Sequence, residues 1–177
     1  MARIAHILAS ALLGACVHTS SELLPSGAHY VNMGSSFAAG AGTGAQPSGS
    51  PARCYQSDAN YARLLAAQLN LSLEDVSCGG ATSSHILRAW NELPAQIDAV
   101  APDTRLVTLT IGGNDLAYAG NLTAASCEQG ETISVAALTL PCPSPFPVAD
   151  NAYESLEQNL RDIGLQIKER APNARAI

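Results

Sequence analysis

Three short apolar segments, each broken off by glycine beside a small polar side chain, constrain this chain more than any other feature. His29-Tyr30-Val31-Asn32-Met33 reads as a strand that stops at Gly34-Ser35-Ser36. Leu73 to Cys78 is followed by Gly79-Gly80-Ala81-Thr82, and Arg105 to Ile111 by Gly112-Gly113-Asn114-Asp115. Helix-like stretches separate the segments, and strands alternating with helices predict an α/β fold on a parallel sheet. In such a sheet, ligands bind beyond the carboxyl ends of the strands. The three exits therefore belong on one side of the fold, where glycine lets three backbones approach one substrate.

The intervening patterns are uneven. Phe37 to Ala52, rich in Gly, Ala, Ser and Pro, reads as loop after at most one helical turn. Ser57 or Asp58 can cap a helix running to Leu69, with Tyr61, Leu64, Leu65 and Leu69 on one face. Thr82 or Ser83 can cap the next, whose stripe is Ile86, Trp90, Leu93, Ile97 and Val100. Pro94 lacks the N–H an interior position needs, so two short helices are expected there. Residues 116–147 have no clear period and carry two cysteines and four prolines, which predicts a long loop. Asn151 with Glu154 forms a capping-box pattern. It opens a helix with the stripe Ala149, Tyr153, Leu156, Leu160, Ile163 and Ile167, ended by Pro172. Ala174 to Ile177 reads as the start of a fourth strand. In a 2-1-3-4-5 order the third strand would be left as an apolar edge.

Residues 1–15 read as a signal peptide ahead of the domain: Arg3, then the apolar run Ile4 to Leu13. That run is far short of the roughly 20 residues needed to span a bilayer. Leu13-Gly14-Ala15-Cys16 resembles a lipobox, so Cys16 is a lipidation candidate and a lipid anchor is considered beside plain cleavage. Residues 16–28 read as a linker and 29–177 as one domain. The protein is expected to be secreted or held in the cell envelope. Removing Cys16 leaves Cys54, Cys78, Cys127 and Cys142. The sequence-local pairing is Cys54–Cys78 with Cys127–Cys142, although four cysteines allow three connectivities. No C-x-x-C and no His/Cys group at zinc spacing occurs, so no metal is expected. A formal net charge of −6 and a single lysine, Lys168, argue against nucleic acid and against an electrostatic membrane patch.

The exits also suggest a reaction. A serine on a strand-to-helix turn presents its hydroxyl at the top of the sheet, Gly80 offers an unobstructed N–H, and Asn114 an amide donor. Donors aimed at a developing oxyanion are worth about 2.7–4 kcal/mol each when removed. Acyl transfer through a serine nucleophile fits this set. Gly-Ser-Ser alone is a common loop tripeptide and Gly-Gly-Asn-Asp alone a common turn; it is the order and placement of all three exits that point to catalysis.

Taken together, Tyr30 to Gly40, Val76 to Thr82 and Pro102 to Asp115 resemble the first three sequence blocks of the SGNH (GDSL-type) hydrolases, in their secreted, actinobacterial-lipase-like form. The resemblance runs from Tyr30 to Ile177. It implies a three-layer α/β/α, flavodoxin-like parallel sheet, incomplete at the C-terminus. It implies Ser36 as nucleophile of a lipase or esterase, with Ser36, Gly80 and Asn114 forming the oxyanion hole. Ser35 stands where the family's Asp usually sits, a position outside the catalytic triad. Cys54 sits where such members pair a cysteine with the one before the second block. Small-molecule, lipid or acylated-sugar esters are the implied substrates; no cofactor is implied, and a monomer is expected.

The family's C-terminal Asp-x-x-His segment has no counterpart in residues 1–177. His29 begins the strand that Ser36 follows, so the strand's length separates them. His85 lies in the helix after the second block and reads as a polar helix residue. The expectation is an N-terminal part of a longer esterase, inactive alone. The alternative is a degenerate relative or a non-catalytic binding module that keeps the oxyanion cradle. Gly40 to Gly44 lacks the spacing of a dinucleotide loop, and Ala38 breaks a G-x-S-x-G elbow.

Overall fold

The computed structural model describes residues 24–128, 130–135 and 138–177. The expected signal peptide and Cys16 lie outside the described residues. Along the chain the elements are β1 (His29–Gly34), α1 (Ser36–Ala39), α2 (Tyr61–Leu69), β2 (Ser72–Asp75), α3 (Ser83–Leu87), β3 (Thr104–Thr110), α4 (Tyr118–Ala125), β4 (Thr132–Val135), β5 (Leu138–Pro141), α5 (Ala152–Arg170) and β6 (Arg175–Ala176). The main sheet has the order β2-β1-β3-β6, and every pair in it is parallel.

β1 is central and buried on both faces, as a parallel strand covered by helices must be. Its alternating side chains divide the core. Val31 and Met33 join Ile86, Ile97, Val107, Ile163 and Ile167, a layer built by α3, α5 and the 3-10 turn Gln96–Ala99. Tyr30 points the other way and packs with Ala62, Ala66 and Leu106 under α2. The result is three layers, helices on either side of the sheet. Of the segment read as linker, residues 24–28 lie against this body: Leu24 packs into the Tyr30 cluster and the Gly27 N–H donates to the Asn70 carbonyl.

Several local expectations are corrected. α2 is capped by Asn60, whose Oδ1 accepts from the Arg63 N–H, rather than by Ser57 or Asp58. Its fully buried positions are Ala62 and Ala66; of the expected stripe only Leu65 packs against the same cluster, while Tyr61, Leu64 and Leu69 are exposed. Asn151 makes no side-chain cap bond on α5. Only the C-terminal half of the α5 stripe is buried; Tyr153 is 70% exposed. Residues 116–147 are not a plain loop, since they hold α4 and the β4–β5 hairpin. β3 is not left as a bare edge: β6 pairs with Leu106 and Val107, and the Leu109 N–H donates to the Ile177 carbonyl. The stripe interrupted by Pro94 becomes α3 and the short 3-10 turn, joined through a Trp90–Leu93 bridge.

Candidate active site

The first exit is shaped by Gly34, whose φ is +138° and whose absent Cβ would overlap the Thr110 carbonyl oxygen. Only glycine lets β1 and β3 come this close there. The buried Gln96 amide clasps the same residue from both sides, accepting from the Gly34 N–H at 2.7 Å and donating to its carbonyl at 3.1 Å. The Ser35 N–H donates to the Thr110 carbonyl at 3.0 Å, and the chain turns at once into α1. Ser36 opens that turn half-buried, and its Oγ has no hydrogen-bond partner among the described residues. Its N–H lies ahead of the first bond of the turn, from the Ala39 N–H to the Ser35 carbonyl.

Beneath the Ser36 turn lies a buried polar network. The Asp75 carboxylate, its side chain 2% exposed, accepts from Asn32 Nδ2 at 2.9 Å and from Asn60 Nδ2 at 2.7 Å. It also accepts from the Ser77 hydroxyl at 2.6 Å. The same two amide nitrogens donate onward to the last carbonyls of α1, Ala38 and Ala39. Each asparagine thus bridges one carboxylate to the Ser36 turn with both hydrogens of its amide. Asn32 Oδ1 in turn accepts from the Tyr61 and Thr108 hydroxyls, both at 2.9 Å. Burial pushes the neighbouring Tyr30 phenol up to about 12, so it stays a neutral hydroxyl bonded to Thr108. Arg63 Nε lies 3.8 Å from Asp75, beyond hydrogen-bond reach.

The second exit is tied to the first. The Cys78 N–H donates to the Gly34 carbonyl at 3.0 Å, and the Gly79 N–H to the Cys54 carbonyl at 2.8 Å. Cys54 and Cys78 are joined in a disulfide, both 2% exposed. Gly80 takes φ +82°, and its N–H has no partner among the described residues. Behind it stands the Trp90 indole, 3.4 Å from where a Gly80 Cβ would sit. Trp90 is itself sandwiched, with the Arg53 guanidinium 3.9 Å over one face and His85 stacked at 4.1 Å.

The third exit closes on the second. Asn114 Nδ2 donates to the Ala81 carbonyl at 2.8 Å, which fixes the amide beside Gly80 and leaves its other hydrogen free. Asp115 is a structural group: it accepts from the Ser83 N–H and hydroxyl, and Asn159 Nδ2 reaches the same hydroxyl at 2.8 Å. Ser36, Gly80 and Asn114 therefore sit on three turns joined to one another by backbone and amide hydrogen bonds.

Neither described histidine stands free beside Ser36. His29 lies at the opposite end of β1, bonded to Thr104 and Glu74. His85 completes a capping box, its Nδ1 accepting from the Thr82 N–H at 3.0 Å, so the neutral ring carries its proton on Nε2. Burial lowers its pKa below the usual imidazole value, against the attraction of Asp115 and with the help of Arg53. Among the described residues no group of His, Cys, Asp and Glu could hold a metal ion. Cys127 and Cys142 form the second disulfide, at the base of the β4–β5 hairpin. Gln56, Asn60, Asp75 and Gln96 carry the site's architecture, and sequence reasoning missed all of them. The bonds that tie them into the site span 15 to 62 residues, which no local pattern marks; only the Asn60 cap on Arg63 and the Asp75–Ser77 bond are short-range.

Comparisons with known proteins address the family and the fold. The sequence profile of the GDSL-like Lipase/Acylhydrolase family matches residues 33–177. Lipase 2 of Streptomyces coelicolor is 33% identical over 177 residues, a match covering 95% of this chain and 57% of that protein. The chain thus spans little more than half the length of such relatives. The crystal structure of phospholipase A1 from Streptomyces albidoflavus superposes with a TM-score of 0.61 at 26% identity, over 85% of this chain and 58% of that one. The extracellular lipase of Streptomyces rimosus gives 0.61 at 25% identity, over 84% and 57%. The chain belongs to the GDSL-like Lipase/Acylhydrolase family.

Proposed function

We propose that this chain carries the nucleophile and the oxyanion hole of a serine ester hydrolase acting on carboxylic esters, lipid esters among them. One observation carries the reading: the Ser36 hydroxyl and the Gly80 N–H, each without a partner among the described residues, stand on hydrogen-bonded neighbouring turns, with the Asn114 amide anchored alongside. Ser36 Oγ attacks the ester carbonyl carbon and gives its proton to a general base. The carbonyl oxygen becomes an oxyanion facing the N–H groups of Ser36 and Gly80 and Asn114 Nδ2. Collapse breaks the ester C–O bond, the alcohol leaves with the base's proton, and water then hydrolyses the acyl-Ser36. Each donor lowers the barrier by about 2.7–4 kcal/mol.

The base is not among the described residues, since His29 is distant and His85 Nδ1 is occupied. We assign that role to a histidine of the family's Asp-x-x-His segment, beyond residues 1–177, and expect this chain alone to hydrolyse esters weakly. Two disulfides and the extracellular relative support export; Cys16 lipidation and a monomeric state belong to the same proposal. The test joins this chain to a C-terminal segment carrying Asp-x-x-His and treats it with a fluorophosphonate. A covalent adduct on Ser36, absent in Ser36→Ala, is expected. An adduct elsewhere, or vigorous Ser36-dependent hydrolysis by residues 1–177 alone, overturns the assignment.

A further inference from the structure

A cavity of about 300 Å³ lies beside the second exit, walled in part by the same Trp90 indole that backs Gly80. Cys54, Gln56, His85, Leu93 and Ala95 are among its other walls, and Ser36, Gly80 and Asn114 are not. An apolar cavity of about 150 Å³ admits benzene, so this one has room for a ring or a short chain. Its walls are preformed. The disulfide fixes one side, and Trp90 is clamped between Arg53 and His85, which leaves the indole edge as the contact surface.

The polar groups in the walls narrow the ligand. Gln56 is 5% exposed and uses Nε2 on the Asp75 and Ser77 carbonyls, while Oε1 has no partner among the described residues. His85 spends Nδ1 on the Thr82 N–H, and its Nε2–H has no partner among the described residues. Two wall residues of a mostly apolar space, Gln56 and His85, therefore hold one uncommitted acceptor and one uncommitted donor. Glu74, Asp75 and Asp98 also line it and disfavour an anion. They do not call for a cation either: Glu74 pairs with His29, Asp98 with Arg170, and Asp75 is enclosed by amide donors.

We propose that this cavity is a binding site, separate from the Ser36 site, for a small uncharged alcohol. Its apolar body packs against the edge of Trp90 and against Leu93, and its hydroxyl donates to Gln56 Oε1 or accepts from His85 Nε2. Because Ser36, Gly80 and Asn114 are not themselves in its walls, its ligand does not depend on the ester-hydrolase reading.

Trp90 is the chain's single tryptophan, so its emission reports the cavity directly. Hexan-1-ol, titrated into the full chain, is expected to shift that emission saturably, with hexanoate weaker by about tenfold or more. Ala95→Phe and Ala99→Leu, each filling the cavity, should abolish the response, and Ser36→Ala should leave it intact. Nuclear Overhauser contacts from hexan-1-ol to the Trp90 indole are expected as well, and they locate the alcohol without any substitution. No saturable shift, an equal response to hexanoate, a response surviving in both filling variants, its loss in Ser36→Ala, or absent contacts would each overturn the proposal.

Discussion

Two disulfides close loops of 24 and 15 residues, and chain entropy alone would make them nearly equivalent, differing by about 0.4 kcal/mol. Their surroundings are not equivalent. Cys54–Cys78 is sealed in the body, where the Cys54 carbonyl accepts from the Gly79 N–H and Gln56 stitches Asp75 to Ser77. Cys127–Cys142 pins an excursion whose apolar residues face outward: Leu122 is 54% exposed, Leu140 45% and Phe146 48%. The same covalent device holds two buried strand exits together in one place and a surface hairpin in the other. What a crosslink contributes depends on whether the segment it closes opens with the whole molecule or by itself.

The largest effect that would sharpen this contrast is expected at Asp75. Asp75→Ala removes one of the two acceptors of each of the Asn32 and Asn60 amides and the acceptor of the Ser77 hydroxyl, and should cost on the order of 3–5 kcal/mol in urea unfolding followed by Trp90 emission. A loss within that of ordinary surface variants would break the contrast at its root. Next, Cys54→Ser with Cys78→Ser should lower global stability by about 3 kcal/mol. The same double change at Cys127 and Cys142 should register below about 1 kcal/mol globally while greatly raising amide exchange in β4 and β5. Equal global losses for the two pairs would refute the distinction.

A smaller effect concerns pH. Because the folded-state pKa of His85 is depressed, the unfolded chain binds a proton that the folded one refuses. Its contribution is complete above the ordinary imidazole pKa and is lost as pH falls towards the folded value, where protonation of Nδ1 would also break the bond from Thr82. Melting temperatures from pH 7.5 down to 5.5 should therefore fall in the parent and flatten in His85→Gln. Smallest of all, Leu140→Ser in the excursion should change stability by no more than about 0.5 kcal/mol.

Much of the site is legible in the sequence because it depends on short-range chemistry. Glycine at Gly34 and Gly80 marks positive φ, a strand followed by Ser36 needs only neighbouring residues, and the Thr82 cap lies one turn from what it caps. The excursion escapes sequence reading for the opposite reason. α4 and the hairpin carry little amphipathic pattern, since most of their side chains face solvent and nothing imposes a period.

By itself the sequence determined the strand–helix alternation, the order of the three exits and the residue types offered there, all consequences of local sterics and periodicity. Tertiary structure alone decided which polar groups are buried and whom they serve. Asn60 displaced Ser57 and Asp58 as the cap of α2, and Ala62 and Ala66, with Leu65 beside them, took the buried face that Leu64 and Leu69 were expected to share. Gln96 closed on Gly34 across 62 residues, and Asp75 gathered Asn32 and Asn60 under the Ser36 turn. A buried amide or carboxylate takes the partner that the packed sheet brings within about 3 Å, and chain separation does not enter that choice.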